Sequence, residues 1–144
     1  MDNIMITRVW QDDWFFKVEV RCKTKFIDVI EKVYTQDSMI DDLCNKLDAF
    51  LSGKVESACW KNGERGDGYS PCIELQFLHK DKCGHILIDV FMEIDDGGSL
   101  ETHNCCFYLN TELGLLYRFR EKLLNLKTQQ LGVQVALSED ESDC

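Results

Sequence analysis

No catalytic signature appears in this sequence, and several segments that would narrow its function are missing too. No apolar run approaches the roughly 20 residues that span a bilayer. The start, Met1-Asp2-Asn3-Ile4, lacks the basic residues and long apolar stretch of a secretory leader. Together these absences point to a cytosolic protein with no membrane partner. Positive charge is also scarce: 16 Lys and Arg stand against 26 Asp and Glu, a net charge of −10. Four of the acids (Glu139, Asp140, Glu141 and Asp143) fall in the last six residues, which leaves 22 acids against 16 bases elsewhere. A chain so acidic offers no positive patch for phosphates, which argues against nucleic acid as a partner. It suits a basic protein partner, or simple solubility.

Metal and nucleophile signatures are equally thin. There are three histidines, and none of the eight cysteines forms a Cys-x-x-Cys pair. His79, Cys83 and His85 cluster near one predicted loop, and His103 stands near Cys105 and Cys106. Strand alternation sends Cys105 and Cys106 to opposite faces, whereas zinc needs three or four convergent ligands. Asp95-Asp96-Gly97-Gly98 lacks the further acids of a calcium loop and reads as a turn. Gly63, Gly66 and Gly68 do not sit between a strand and a helix with a lysine, so no phosphate loop is implied. An acidic body raises a thiol pKa, which disfavours a cysteine nucleophile. The expectation is a non-enzyme without metal or cofactor. Cys22, Cys44, Cys59 and Cys105 fall in apolar registers, where a reduced cysteine acts as a small hydrophobe.

What is present is a set of clear periodicities. From Gly84 to Ile94 the residues Ile86, Ile88, Val90, Met92 and Ile94 alternate with Leu87, Asp89, Phe91 and Glu93. One face is fully apolar and the other mixed, as for a strand in the middle of a sheet. Cys72–Leu78 precedes it, and Lys80-Asp81-Lys82-Cys83 reads as a hairpin loop. Pairing His79 with Gly84 would set Phe77 opposite Ile86, Leu75 opposite Ile88 and Ile73 opposite Val90. The same register would place Glu74 opposite Asp89, a mildly unfavourable like-charge pair beside Leu87 and Phe91.

Other strands are predicted at Ile4–Val9, Phe16–Cys22, Phe26–Tyr34, Lys54–Trp60 and Asn104–Leu109. Met39, Ile40, Leu43, Cys44, Leu47, Phe50 and Leu51 mark a helix with one buried stripe, N-capped by Ser38. A second helix runs from a cap at Asn110 or Thr111 to about Leu126. These elements predict an α+β fold: a single antiparallel or mixed sheet of about six to seven strands, with two helices packed on one face. Residues 1–130 make one domain, and 131–144 an acidic, disordered tail.

The layout resembles a known family. Trp14-Phe15-Phe16 opens a strand, Leu47-Asp48-Ala49-Phe50-Leu51 closes the first helix, and Lys82-Cys83-Gly84-His85-Ile86 enters the central strand. Phe107-Tyr108-Leu109-Asn110-Thr111-Glu112-Leu113 then leads into the last helix. Over residues 4 to 127 this is similar to the WapI-type immunity proteins of bacterial contact-dependent toxin systems. The resemblance implies a bacterial cytoplasmic protein that occludes a cognate toxin domain, often a basic nuclease, and it implies no catalytic residues. The mixed face of the hairpin is the candidate contact, with Glu74, Asp89 and Glu93 giving charge and Leu87 and Phe91 giving buried area. Two alternatives stay open. A neighbouring strand could neutralise Glu74 and Asp89 through Lys17 or Arg21, or the chain could be a self-associating adaptor, such as a homodimer.

Overall fold

A computed structural model describes residues 1–97 and 103–138. The chain forms β1 (Asn3–Gln11), β2 (Phe16–Lys23), β3 (Asp28–Thr35), α1 (Asp37–Leu51), β4 (Ser57–Asn62) and β5 (Ile73–His79). It continues through β6 (His85–Glu93), β7 (Asn104–Glu112) and α2 (Leu113–Leu123). A 3₁₀ turn (Leu124–Lys127) and β8 (Gln134–Ala136) complete the described part.

The strands do not form the expected single sheet of six to seven. They form two separate four-stranded antiparallel sheets, β3-β2-β1-β8 (sheet A) and β4-β5-β6-β7 (sheet B). Each strand's own period of two says which side chains turn inward, but not which strand its edge will meet. The break falls between β3 and β4, where α1 intervenes and packs on β4. The two apolar faces share one core. Ile6, Val20 and Val33 from sheet A, Leu75, Phe77, Ile88 and Leu109 from sheet B, Leu43 and Phe50 from α1, and Leu116 and Phe119 from α2 belong to one contiguous cluster. A void of about 20 Å³ is lined by Ile6, Val20, Leu43 and Leu75, so both sheets and α1 meet there. The helices therefore join the core of a two-sheet structure instead of covering one face of one sheet. Arg120 on α2 holds Asp48 on α1 through paired bonds of 2.6 and 2.8 Å, and Lys127 reaches Asp41 at 2.8 Å.

Two helix starts differ from expectation. Gln36, not Ser38, is the N-cap of α1, and β7 runs on to Glu112, so α2 begins after it. Ser38 already lies in the first turn of α1. The segment from Leu131, expected as a tail outside the fold, adds β8 to β1. Val135 and Leu137 are both 1% exposed, and Ser138 exchanges bonds with the Asn3 side chain at 2.7 and 2.9 Å. Their alternation, masked by the acids that follow, was the available signal. Residues 139–144 lie outside the described part.

Strand β6 lies inside sheet B, but the hairpin register differs from the expected one by two residues. Phe77 stands opposite Ile88, Leu75 opposite Val90 and Ile73 opposite Met92. The turn explains the shift. Gly84 has φ +90°, a conformation that favours glycine, and belongs to the loop instead of the strand. Asp81 Oδ1 accepts from the Cys83 N–H at 2.7 Å, and Lys80 pairs with His85. A shift of two preserves every inward face, so burial alone could not detect it.

Candidate functional site

The outer face of sheet B carries the residues singled out in the sequence, in rows set by the register. Lys61, Glu74, Phe91 and Cys106 form one row. Cys59, Gln76, Asp89 and Tyr108 form the next, followed by Ser57, Leu78, Leu87 and Asn110. Glu74 therefore faces Phe91, and Asp89 faces Gln76. The expected opposition of Glu74 and Asp89 does not occur.

A loop then reorganises this face. Arg65, between β4 and β5, binds Glu74 through Nε–Oε2 and Nη2–Oε1 contacts of 2.7 and 2.8 Å. Its guanidinium also lies 3.6 Å from the centre of the Phe91 ring. The hydrogen-bonded guanidinium holds the Glu74 carboxyl below its ordinary range and raises its own pKa in return. So a base does neutralise Glu74, but it comes from the loop. Lys17 and Arg21 lie on sheet A, where Arg21 pairs with Asp28 at 2.6 Å.

Glu93 has a different task from the one expected. It is 3% exposed, and its two carboxylate oxygens accept from Cys72 N–H at 2.8 Å and Gly66 N–H at 2.9 Å. Both acceptors are thus turned to the loop backbone, away from a partner. The far side of the same loop is tied to sheet A. Asn62 accepts from Thr35 Oγ1 at 2.8 Å and donates to Tyr34 O at 2.9 Å, while Ser70 Oγ accepts from Tyr34 N–H at 3.1 Å. The segment from Asn62 to Cys72 is a brace between the sheets. Of the five candidate residues, Leu87 and Asp89 remain partly exposed, Phe91 and Glu74 are capped by Arg65, and Glu93 is buried.

A second surface, not expected from the periodicities, lies on sheet A. At the end of sheet A where Phe16 pairs with Thr35, the β1–β2 turn carries Trp14 (79% exposed) and Phe15 (44%). Trp10 and Tyr34 meet there edge to face at 5.8 Å, and Tyr69, next to Ser70 on the brace, is 90% exposed. Both turns are shaped by carboxylates. Asp12 Oδ1 accepts from Trp14 and Phe15 N–H at 2.8 and 2.7 Å, and Asp67 Oδ1 accepts from Tyr69 N–H at 2.9 Å. Those two backbone donors hold Asp12 below the usual carboxylate range. Each turn thus presents an aromatic ring beside a carboxylate that the turn's own backbone N–H groups hold in place. The signal in the sequence was Asp12-Asp13-Trp14-Phe15, large aromatics inside a polar turn.

The remaining chemistry is quiet. Burial pushes the Cys22 thiol up to about 12, and it does the same for Cys72, with Glu74 and Glu93 adding to the effect. Cys59, expected in the core, points outward on β4 and is exposed. An open cleft of about 680 Å³ contains Glu56, Ser57, His79 and Asp81. His79 stacks on Phe50 at 4.5 Å, and Asp81 is engaged by His85 Nδ1 at 2.6 Å. No group of metal-ligating side chains occurs among the described residues, and no helix there is long and apolar enough to cross a membrane.

Fold and surface together define a two-sheet α+β protein with a braced sheet junction and an aromatic, acid-edged end. No protein family, curated protein or solved structure matches the chain.

Proposed function

We propose that this chain is a non-catalytic binding protein of the immunity type, which occludes a basic toxin domain. The observation that carries this reading is the concentration of exposed aromatic side chains at one end of sheet A. Trp14 and Tyr69 are 79% and 90% exposed, flanked by Phe15, Trp10 and Tyr34. Large aromatics left in water are the usual anchors of protein interfaces. Asp12, Asp13 and Asp67 beside them suit lysine and arginine, which can meet a ring face and a carboxylate together. The net charge of −10 adds long-range attraction for a basic domain. The resemblance to WapI-type immunity proteins supplies the toxin as the class of partner.

The test is binding of a candidate basic nuclease toxin domain to wild type, Trp14→Ala and Asp89→Lys, each folded by circular dichroism. Trp14→Ala is expected to weaken affinity by tenfold or more, mainly through faster dissociation. Asp89→Lys distinguishes the outer face of sheet B, where Leu87 and Asp89 remain accessible. If neither substitution changes binding, neither surface is the site. If no basic toxin domain binds wild type, the reading fails.

A further inference from the structure

An edge strand offers unpaired N–H and C=O groups to another chain unless something blocks it. The four edges here are β3 and β8 of sheet A, and β4 and β7 of sheet B. Three are short or guarded. β8 has three residues. β3 carries Asp28, Glu31 and Lys32, and Ser70 occupies the outward N–H of Tyr34. β4 lies against α1, whose Lys46 Nζ donates to the outward carbonyl of Cys59 at 2.8 Å.

Among the described residues, β7 is guarded only at one end. From Asn104 to Thr111 no residue is charged, none is proline, and pairing with β6 runs without a bulge. His103 O accepts from Ile94 N–H and Leu113 N–H donates to Gly84 O, so odd-numbered backbone groups point to β6 and even-numbered ones point away. The outward N–H of Asn110 donates to Asp2 Oδ2 at 2.8 Å, which closes that end. Asn104, Cys106 and Tyr108 have no backbone partner on the outward side among the described residues, and their side chains are exposed.

We propose that this edge joins two copies of the chain by antiparallel pairing of β7 about a two-fold axis at Cys106. The free groups are symmetric about that residue. Asn104 then lies opposite Tyr108 of the second copy, Cys106 lies opposite its own counterpart, and every free N–H and C=O of the three finds a partner. Inward and outward side chains keep their faces, because residues of like parity meet. The absence of charge selects a copy of the chain over a basic protein, since the strand has no carboxylate with which to attract one. From Asn104 to Thr111 it also adds no charge of its own to the repulsion between two bodies of net charge −10. Salt therefore strengthens this association by screening the bodies, whereas it weakens binding of a basic partner. The opposite signs keep the dimer and the binding role proposed above distinguishable.

The test is molar mass by light scattering across a concentration series, at low and high salt under reducing conditions. Wild type is expected to pass from 16.7 kDa towards twice that value as concentration rises, at lower concentration in high salt. Cys106→Lys sets two lysines against each other and is expected to remain at the monomer mass. Amide exchange on wild type gives a reading that needs no variant: the N–H groups of Cys106 and Tyr108 should slow as concentration rises. A wild type that stays monomeric throughout, a Cys106→Lys protein that dimerises like wild type, or exchange at Cys106 and Tyr108 independent of concentration would each overturn the proposal.

Discussion

Two glutamates on the same face of sheet B show how differently one residue type can be used. Glu93 gives both oxygens to backbone N–H groups of the brace while 3% exposed. Glu93→Gln replaces one acceptor with a donor facing a donor, so a buried N–H loses its partner. The expected cost is about 1–3 kcal/mol, measured by denaturant unfolding, with faster exchange at the Gly66 or Cys72 amide. Glu74 instead holds Arg65 over Phe91. Its folded pKa lies below the unfolded one, so its contribution is complete above the unfolded value and disappears as pH falls through the folded value. The brace should therefore loosen in acid before the core does. An increase in accessibility of Phe91 and Cys72 as pH falls below the ordinary carboxylate range, absent in Glu74→Gln, is the expected result.

Among the elements, β8 and β6 contribute through burial. β8 is three residues long, yet it seats Val135 against the core and leads Leu137 there, each 1% exposed. Ending the chain at Leu131 should cost about 3–6 kcal/mol, from two buried side chains at about 1.5–3 kcal/mol each. Thermal melting of the truncated protein tests this, and an unchanged midpoint would show that β8 is not needed. Strand β6 sits between β5 and β7 with Ile88 fully buried. Ile88→Ala is expected to lose about 2–5 kcal/mol in denaturant unfolding, with no effect on the exposed aromatic end.

For the whole molecule, charge and edge chemistry separate two kinds of association. The acid-edged aromatic end is suited to a basic surface, and the uncharged β7 edge to its own copy. Raising salt should slow capture of a basic domain more than it speeds release, while it favours the dimer. Association rates measured by stopped flow, set beside the light-scattering series, would read both signs on one protein. Trp14→Ala should alter the first measurement and leave the second unchanged.

Much of this molecule was legible locally. Alternation in Phe16–Cys22 and Ile86–Met92 determined which side chains face the core, and the Ile40–Leu43–Leu47–Phe50 stripe determined the buried side of α1. Those assignments need only the periods of strand and helix. Three things were decided by tertiary structure. The division into two sheets depends on which edges meet across the chain, and no local pattern encodes that. The two-residue register shift depends on Gly84 and Asp81 in the turn, while every inward face stays the same. The fate of Glu74, Phe91 and Glu93 depends on a loop that brings Arg65 and two backbone N–H groups to them. A mixed strand face can be read from sequence, but whether it lies open to a partner depends on what the rest of the chain lays over it.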